Sequence, residues 1–333
     1  MNNYNYISPF YLISQFCEKY LKEIIKIIWI ISFLICQIKI NEYISNIITN
    51  KYNKEFRVCL CTLGKEENKY IREFLDHYIN YGVDKIYLYD NNNFDGERFE
   101  EKINDYIEKG YVQLLNFRGK KRAAYRIMNN CYRQNYKYYN WLIFFEIDEF
   151  IYLKDFKNIK YFLNNSRFDK CQKVQLNWKF HTDNNLLYYD NRTLKERFTE
   201  LPFWARGVKK GGQVGIKTIL RGHIPNVKIN CVHTLNKNLK ACNGFGVPQK
   251  YINIVTNISD YEYYYIDHYY CKSTEEFINK LKRGDIVHKD NRMDRIKTYF
   301  SQNLITKEKI DLIENRTGLN LSIFRNLIRK QNL

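Results

Sequence analysis

Two carboxylates stand two positions apart behind an apolar run: Glu146 and Asp148, in W-L-I-F-F-E-I-D-E-F (Trp141 to Phe150). On extended backbone, residues i and i+2 point to the same side. Two carboxylates held side by side repel unless a cation lies between them. Oxygen ligands of this kind suit Mg²⁺ or Mn²⁺. A metal gripped by one or two carboxylates and by substrate phosphates serves as a Lewis acid toward a departing diphosphate. The other reading of the same residues is a solvated strand end, with Glu146 acting as a helix cap. Familiar phosphate-binding loops are missing: the chain has no G-x-G-x-x-G and no G-x-x-x-x-G-K-[ST].

The elements that must position this cluster read as a βα series. RVCLCTL (Arg57 to Leu63) is a short apolar run with β-branched content, hence a buried strand. From Glu67 to Tyr81 the apolar positions Tyr70, Ile71, Phe74, Leu75 and Tyr78 follow helical 3/4 spacing. Gly82 sits where a helix C-cap belongs. KIYLY (Lys85 to Tyr89) predicts the next strand, ending at Asp90-Asn91-Asn92-Asn93. Phe99 to Lys109 is helical in spacing and Gly110 stops it. Tyr111 to Phe117 reads as a strand, Ala123 to Cys131 as a helical stripe, and Trp141 to Phe145 as a fully apolar strand. This alternation predicts an α/β fold: a mostly parallel, Rossmann-like central sheet with helices on both faces. Ligands in such sheets bind beyond the carboxyl ends of the strands. The residues there are Thr62 to Glu67, Asp90 to Asn92 and Glu146 to Phe150.

Composition bounds the class. The 333 residues are 45% hydrophobic and include 30 Tyr and 21 Phe, too apolar and aromatic for a disordered chain. A net charge of +18 favours anionic partners, although Lys, Asn, Ile and Tyr are frequent everywhere. The basic residues are spread along the chain, with no RNP1-like run, KH loop or finger spacing, so nucleic acid is not an expected partner. Nine Cys form no C-x-x-C pair, which leaves a zinc ribbon unsupported. Cys59 and Cys61 would share one face of a strand. Buried reduced thiols are expected rather than a disulfide scaffold.

Seven motifs in order carry a resemblance. They are K-E-E-x-x-Y-x-x-E-F-x-x-H-Y (Lys65 to Tyr78), Y-G-V-D-K-I-Y-L-Y-D-N-N (Tyr81 to Asn92), W-L-I-F-F-E-I-D-E-F-I (Trp141 to Ile151) and L-N-W (Leu176 to Trp178), then E-R-F-T (Glu196 to Thr199), K-T-I-L-R (Lys217 to Arg221) and D-H-Y-Y-C-K-S-T-E-E-F-I-N-K-L-K-R-G (Asp267 to Gly284). The set resembles glycosyltransferase family 92 and related family-2-like GT-A glycosyltransferases, over about Phe56 to Arg292. The resemblance implies a GT-A domain, placed at 56–300. It implies a nucleotide-sugar donor (a UDP-sugar, with UDP-galactose a family-level expectation), a glycan or glycoconjugate acceptor, and Mn²⁺ or Mg²⁺. Glu146-Ile147-Asp148 takes the place of the family's D-x-D, with Glu for the first Asp. Thr62, Glu67, Asp90 and Asn92 match positions that line the nucleotide pocket. His268 is implied as a third metal ligand after Glu146 and Asp148; its plain alternative is a packed aromatic. Lys272, before the predicted helix Thr274 to Arg283, and Arg283, its last residue, are implied as cations for the diphosphate, or else form a solvated basic face. Glu66 replaces the Asn of the family's K-N-E motif.

The family's inverting chemistry needs a base for the acceptor hydroxyl. Asp183, in K-F-H-T-D-N-N, and Glu196 are two equal candidates. The segment from Leu201 to Phe245, with its glycine cluster and His233, is expected to form acceptor-side loops. Ahead of the domain, residues 1–55 read as an anchor or membrane-associated segment and linker. Ile24 to Ile40 contains an apolar run, Ile27 to Cys36, that is short for a bilayer span of about 20 residues. Lys19, Lys22 and Lys26 precede it. Three readings stay open: a short signal anchor, an interfacial helix and a helix packed on the domain. Asn41 to Lys54 reads as a linker, and the tail 301–333 as one or two amphipathic helices. Two other functions compete: a GT-A-like chain without catalysis that binds a glycan or partner, and a nucleic-acid-binding protein.

Overall fold

The computed structural model describes residues 20–21, 26–41, 56–121, 123–205, 213–249, 255–257, 261–284 and 292–331. Lys19, Lys22, nearly all of the expected linker and the glycine cluster at 207–212 lie outside the described residues. The chain divides into two compact units, Met1–Glu55 and Phe56–Leu333. In the first, residues 26–41 form a helix, α1, whose side chains are all exposed, Ile28, Trp29, Phe33 and Leu34 among them. Among the described residues no helix is long and apolar enough to cross a membrane.

The second unit opens as the βα alternation predicts. The elements are β1 (Val58–Gly64), α2 (Ile71–Asn80), β2 (Lys85–Asp90), α3 (Glu100–Glu108), β3 (Val112–Asn116), α4 (Ala124–Asn135) and β4 (Trp141–Ile143). There follow β5 (Glu149–Leu153), α5 (Ile159–Leu163), β6 (Lys173–Phe180), α6 (Leu194–Arg197), β7 (Gln213–Arg221), β8 (Ala241–Asn243), β9 (Pro248–Gln249), β10 (Val255–Asn257) and β11 (Tyr264–His268). Helices α7 (Thr274–Arg283), α8 (Arg292–Gln302), α9 (Lys307–Thr317) and α10 (Ser322–Gln331) complete it. The sheet runs β3-β2-β1-β4-β7-β6-β11-β5. Its first four strands are parallel, the Rossmann-like half. Beyond them β7 is antiparallel to both β4 and β6, β11 is parallel to β6, and β5 returns antiparallel on β11. This is the α/β architecture expected of a GT-A domain, with a parallel half and a mixed half.

Helices cover both faces of β1, which is buried along its whole length. Val58 and Leu60 of β1 pack with Ile71, Phe74, Leu75 and Tyr78 of α2. Each of these four helix side chains is fully buried, worth roughly 1.5–3 kcal/mol apiece for the aliphatic and aromatic bodies. Cys59, Cys61 and Leu63 face the other way, against Ala124, Ile127 and Cys131 of α4. A third core joins α7 to α8, α9 and α10 through Phe277, Leu281, Tyr299, Ile310 and Phe324. Gly82 ends α2 at φ +84°, where a Cβ would strike Asn158.

The reduced-thiol expectation needs correction. Cys61 is bonded to Cys131, and Cys171 to Cys242. Strand parity placed Cys59 and Cys61 on one face, as observed. It carried no information on α4 crossing that face with a cysteine opposite Cys61. Cys59 stays free and buried.

Candidate active site

The turn after β4 is built to hold carboxylates. Glu149 N donates to Glu146 O (3.0 Å), and Glu146 N donates back to Glu149 Oε2 (3.0 Å). Tyr78 of α2 clamps the turn, its hydroxyl donating to Glu149 O (2.8 Å) and accepting from Ile151 N (3.2 Å). Lys217 of β7 reaches Glu146 Oε1 at 2.6 Å and Glu149 Oε1 at 3.4 Å. Trp178 Nε1 donates to the same Glu149 oxygen (3.0 Å). The indole lies over β7 where Gly215 leaves room; a Cβ there would overlap the ring. Burial drives the Glu149 carboxyl up to about 8, against the pull of Lys217. The Glu146 side chain is 34% exposed, and although desolvation pushes its carboxyl up, Lys217 wins and holds it below the usual range.

Asp148 is buried, with its two oxygens in different company. Oδ2 accepts from Lys280 of α7 (2.9 Å), and Oδ1 lies 3.7 Å from Nε2 of His268, at the end of β11. Burial alone would raise the Asp148 carboxyl; Lys280, then His268 and Lys272, reverse that and hold it far below the ordinary carboxylate range. Burial pushes the His268 imidazole down to about 3, so it is neutral at pH 7. Both of its ring nitrogens are buried, with no hydrogen-bond partner among the described residues.

Residues from the loop after β1 and from α7 and its lead-in form a second cluster. Glu67 accepts from Arg283 (2.5 Å) and Lys272 (3.2 Å). With Glu66, Lys69, Asn279, Lys280 and Lys282, these residues line a cleft of about 370 Å³. The cleft lies beyond the carboxyl end of β1 and against α7. Asp90, at the end of β2, accepts from Arg118 (2.6 Å) through Oδ2 and from Asn92 N and Nδ2 (2.9 and 2.8 Å) through Oδ1. Asn92 Oδ1 in turn accepts from Glu66 N (2.7 Å), tying the loops after β1 and β2 together. The Thr62 hydroxyl is buried, with no hydrogen-bond partner among the described residues.

The two candidate bases lie apart from the carboxylate turn. Asp183 is buried, with Oδ2 held by Lys309 of α9 (2.6 Å) and Tyr299 of α8 (2.5 Å) and Oδ1 by Asn185 N (2.9 Å). It anchors the C-terminal helices. Glu196 closes the capping box of α6 with Thr193. Neither contacts the groups around Asp148. His233 packs edge-on against Trp178, with ring centroids 5.0 Å apart. Four contributors were given no role from sequence: Lys280, Lys217, Glu149 and Arg118. Lys280 stands three residues before Arg283, one face of a helix, and that spacing was a usable signal. Arg118 follows β3 as the carboxylates follow their own strands. Lys217 opens the K-T-I-L-R motif, but nothing local pairs it with the carboxylate turn.

A divalent ion was expected on Glu146, Asp148 and His268. Among the described residues no group of three or more His, Cys, Asp or Glu converges on one point. Asp148 Oδ1 and the unpartnered His268 nitrogen do face each other, a hard oxygen beside an imidazole. That pair fits Mn²⁺ or Mg²⁺ completed by substrate phosphates. Glu146 is engaged by Lys217.

The sequence profile of glycosyltransferase family 92 matches residues 54–304. The chain belongs to glycosyltransferase family 92. A family 92 protein of Oryza sativa subsp. japonica is 25% identical over 120 residues, 34% of this chain and 20% of its own length. The chain thus spans about a fifth of that relative. Among solved structures, S. aureus TarS 1-349 in complex with UDP-GlcNAc is 12% identical, covering 78% of this chain and 71% of its own, with a TM-score of 0.37. Mannosyltransferase PcManGT from Pyrobaculum calidifontis, in complex with GDP-Man and Mn²⁺, is 15% identical, covering 36% and 35%, with a TM-score of 0.29.

Proposed function

We propose that this family 92 enzyme moves a hexose from a UDP-sugar to a hydroxyl of a glycan or glycoconjugate by a single inverting displacement. The observation that supports this most is the run of paired charges Glu67, Lys272, Arg283, Lys280 and Asp148 at the carboxyl ends of the strands. Its cations are placed for a diphosphate, and its acidic members keep them oriented before the donor arrives. Asp90, Asn92 and the unpartnered Thr62 hydroxyl form the nucleoside end. Asp148 and His268 would hold Mn²⁺ or Mg²⁺, which when bound supplies Lewis acidity to the departing diphosphate. Glu149 and Trp178 fix the turn and Lys217, so that Glu146 and Asp148 keep their spacing.

The membrane association is also part of this proposal. Exposed Ile28, Trp29, Phe33 and Leu34 on α1, with Lys26 and Lys39 at its ends, suit a lipid interface. Two disulfides favour an oxidising compartment for the catalytic unit.

The test incubates the full chain with a panel of nucleotide sugars and glycan acceptors, with and without Mn²⁺, and reads nucleotide release and the anomeric proton of the product. Metal-dependent transfer with inversion, lost in Asp148→Asn, is the expected result. Failure to bind any nucleotide under any condition would overturn the reading.

A further inference from the structure

Both carboxylates of the E-x-D turn already carry an ammonium group. Lys217 is 2.6 Å from Glu146, and Lys280 is 2.9 Å from Asp148. Lys280 is held where it is by more than Asp148. Its Nζ also donates to Tyr270 O (3.3 Å) and lies 4.2 Å from the Tyr270 ring centroid. Its helix is fixed at the start by the Ser273/Glu276 capping box, and Arg295 donates to Lys280 O near the end (2.9 Å). The same side chain lines the cleft that Lys272 and Arg283 share. One residue therefore faces both the carboxylate that would hold a metal and the space that would hold a diphosphate.

We propose that Lys280 is the internal counter-ion of Asp148, and that it makes a divalent cation bind at Asp148 and His268 only together with the donor diphosphate. The inference rests on the glycosyltransferase reading above. Its physical basis is charge. Asp148 and Lys280 sum to zero, and His268 is uncharged when it offers a lone pair. A bare divalent ion entering this buried place brings two positive charges beside an ammonium, with little carboxylate charge left to offset them. A nucleotide-sugar diphosphate carries two negative charges. It gives Lys280, Lys272 and Arg283 a second partner as it enters, and frees carboxylate charge for the ion. Lys280 is a positioning residue in this account. With Oδ2 occupied by the ammonium, Oδ1 is the oxygen left facing His268.

The experiment titrates Mn²⁺ into the full chain and follows the free Mn²⁺ signal by electron paramagnetic resonance, without and with UDP. Calorimetry measures UDP binding without and with Mn²⁺. UDP is expected to tighten Mn²⁺ binding roughly 5- to 150-fold, and Mn²⁺ must tighten UDP binding by the same factor. In Lys280→Met, Mn²⁺ alone binds more tightly and the factor falls toward one; in Lys280→Arg the factor persists. Should the methionine variant not fold, Lys280→Gln, polar but uncharged, takes its place. Equal Mn²⁺ affinity with and without UDP, in a chain that binds UDP and transfers sugar, overturns this inference and leaves the proposed function standing. An unchanged factor in the folded uncharged variant also overturns it. A chain that binds no UDP at all overturns both.

Discussion

Replacing Arg197 by methionine tests how α7, the helix that carries Lys280 and Arg283, is held. Arg197 and Glu276 have side chains only 1% and 2% exposed, and they meet through two hydrogen bonds of 2.7 and 3.0 Å. Glu276 also accepts from the Tyr70 hydroxyl (2.5 Å) and from Ser273 N, closing the α7 capping box. Burial alone would push Glu276 up; Arg197 reverses this and keeps it below the usual carboxylate range, so it is ionised at neutral pH. Arg197→Met leaves that charge buried without its counter-ion. Breaking a buried pair from one side costs about 3–5 kcal/mol, a large part of a typical total of about 5–15 kcal/mol. Arg197→Met with Glu276→Gln removes both charges and is expected to recover much of the loss. Urea unfolding followed by tryptophan fluorescence, run as a double-mutant cycle, measures the coupling. UDP affinity should fall in the single variant and return in part in the double. A cost below about 1 kcal/mol, the range of exposed pairs, or strictly additive single costs, would refute the reasoning.

Other expectations follow from the same geometry. His77, on α2, packs on Phe150 and shares a hydrogen bond of 3.0 Å with Ile151 O; burial pushes its imidazole down to about 4. A depressed histidine contributes stability that is complete above its unfolded value and is lost as pH falls from about 6.5 through 4, up to about 3 kcal/mol; unfolding curves of His77→Gln across that window should be flatter than wild type. Arg118 donates to Asp90 and to the carbonyls of Asn93, Gly96 and Glu97. Arg118→Ala should weaken UDP binding roughly 10- to 100-fold, the worth of charge-assisted bonds, while circular dichroism stays unchanged. The two disulfides each close a loop of about 70 residues. Replacing Cys171 and Cys242 by serine should cost about 2–4 kcal/mol in thermal or urea unfolding, and a reducing agent should lower wild-type stability but change this variant less.

The elements that were legible had local causes. Apolar runs with β-branched residues marked β1, β2 and β4, and 3/4 spacing marked α2. The helix predicted over 274–283 is α7, because a Ser-x-x-Glu box opens it and Gly284 follows it. The carboxylates at strand ends were legible for the same reason: a strand that ends abruptly in Asp or Glu announces its edge. Local pattern could not reveal what lies across an edge. Asp183 read as a candidate base, and its partners Tyr299 and Lys309 went unseen because they lie more than a hundred residues away in sequence. Cys61 looked like a reduced thiol because Cys131 arrives only when α4 packs.

By itself the sequence determined the βα order, the family and the carboxylate turn after β4, because each is written in residues close to one another along the chain. Tertiary structure alone decided which charges meet. Lys217 comes from a strand antiparallel to β4, Lys280 from a helix 132 residues beyond Asp148, and Arg118 from the loop after β3. A buried charge must find a partner wherever the fold brings one, and that partner is chosen by packing in space, which no spacing along the chain records.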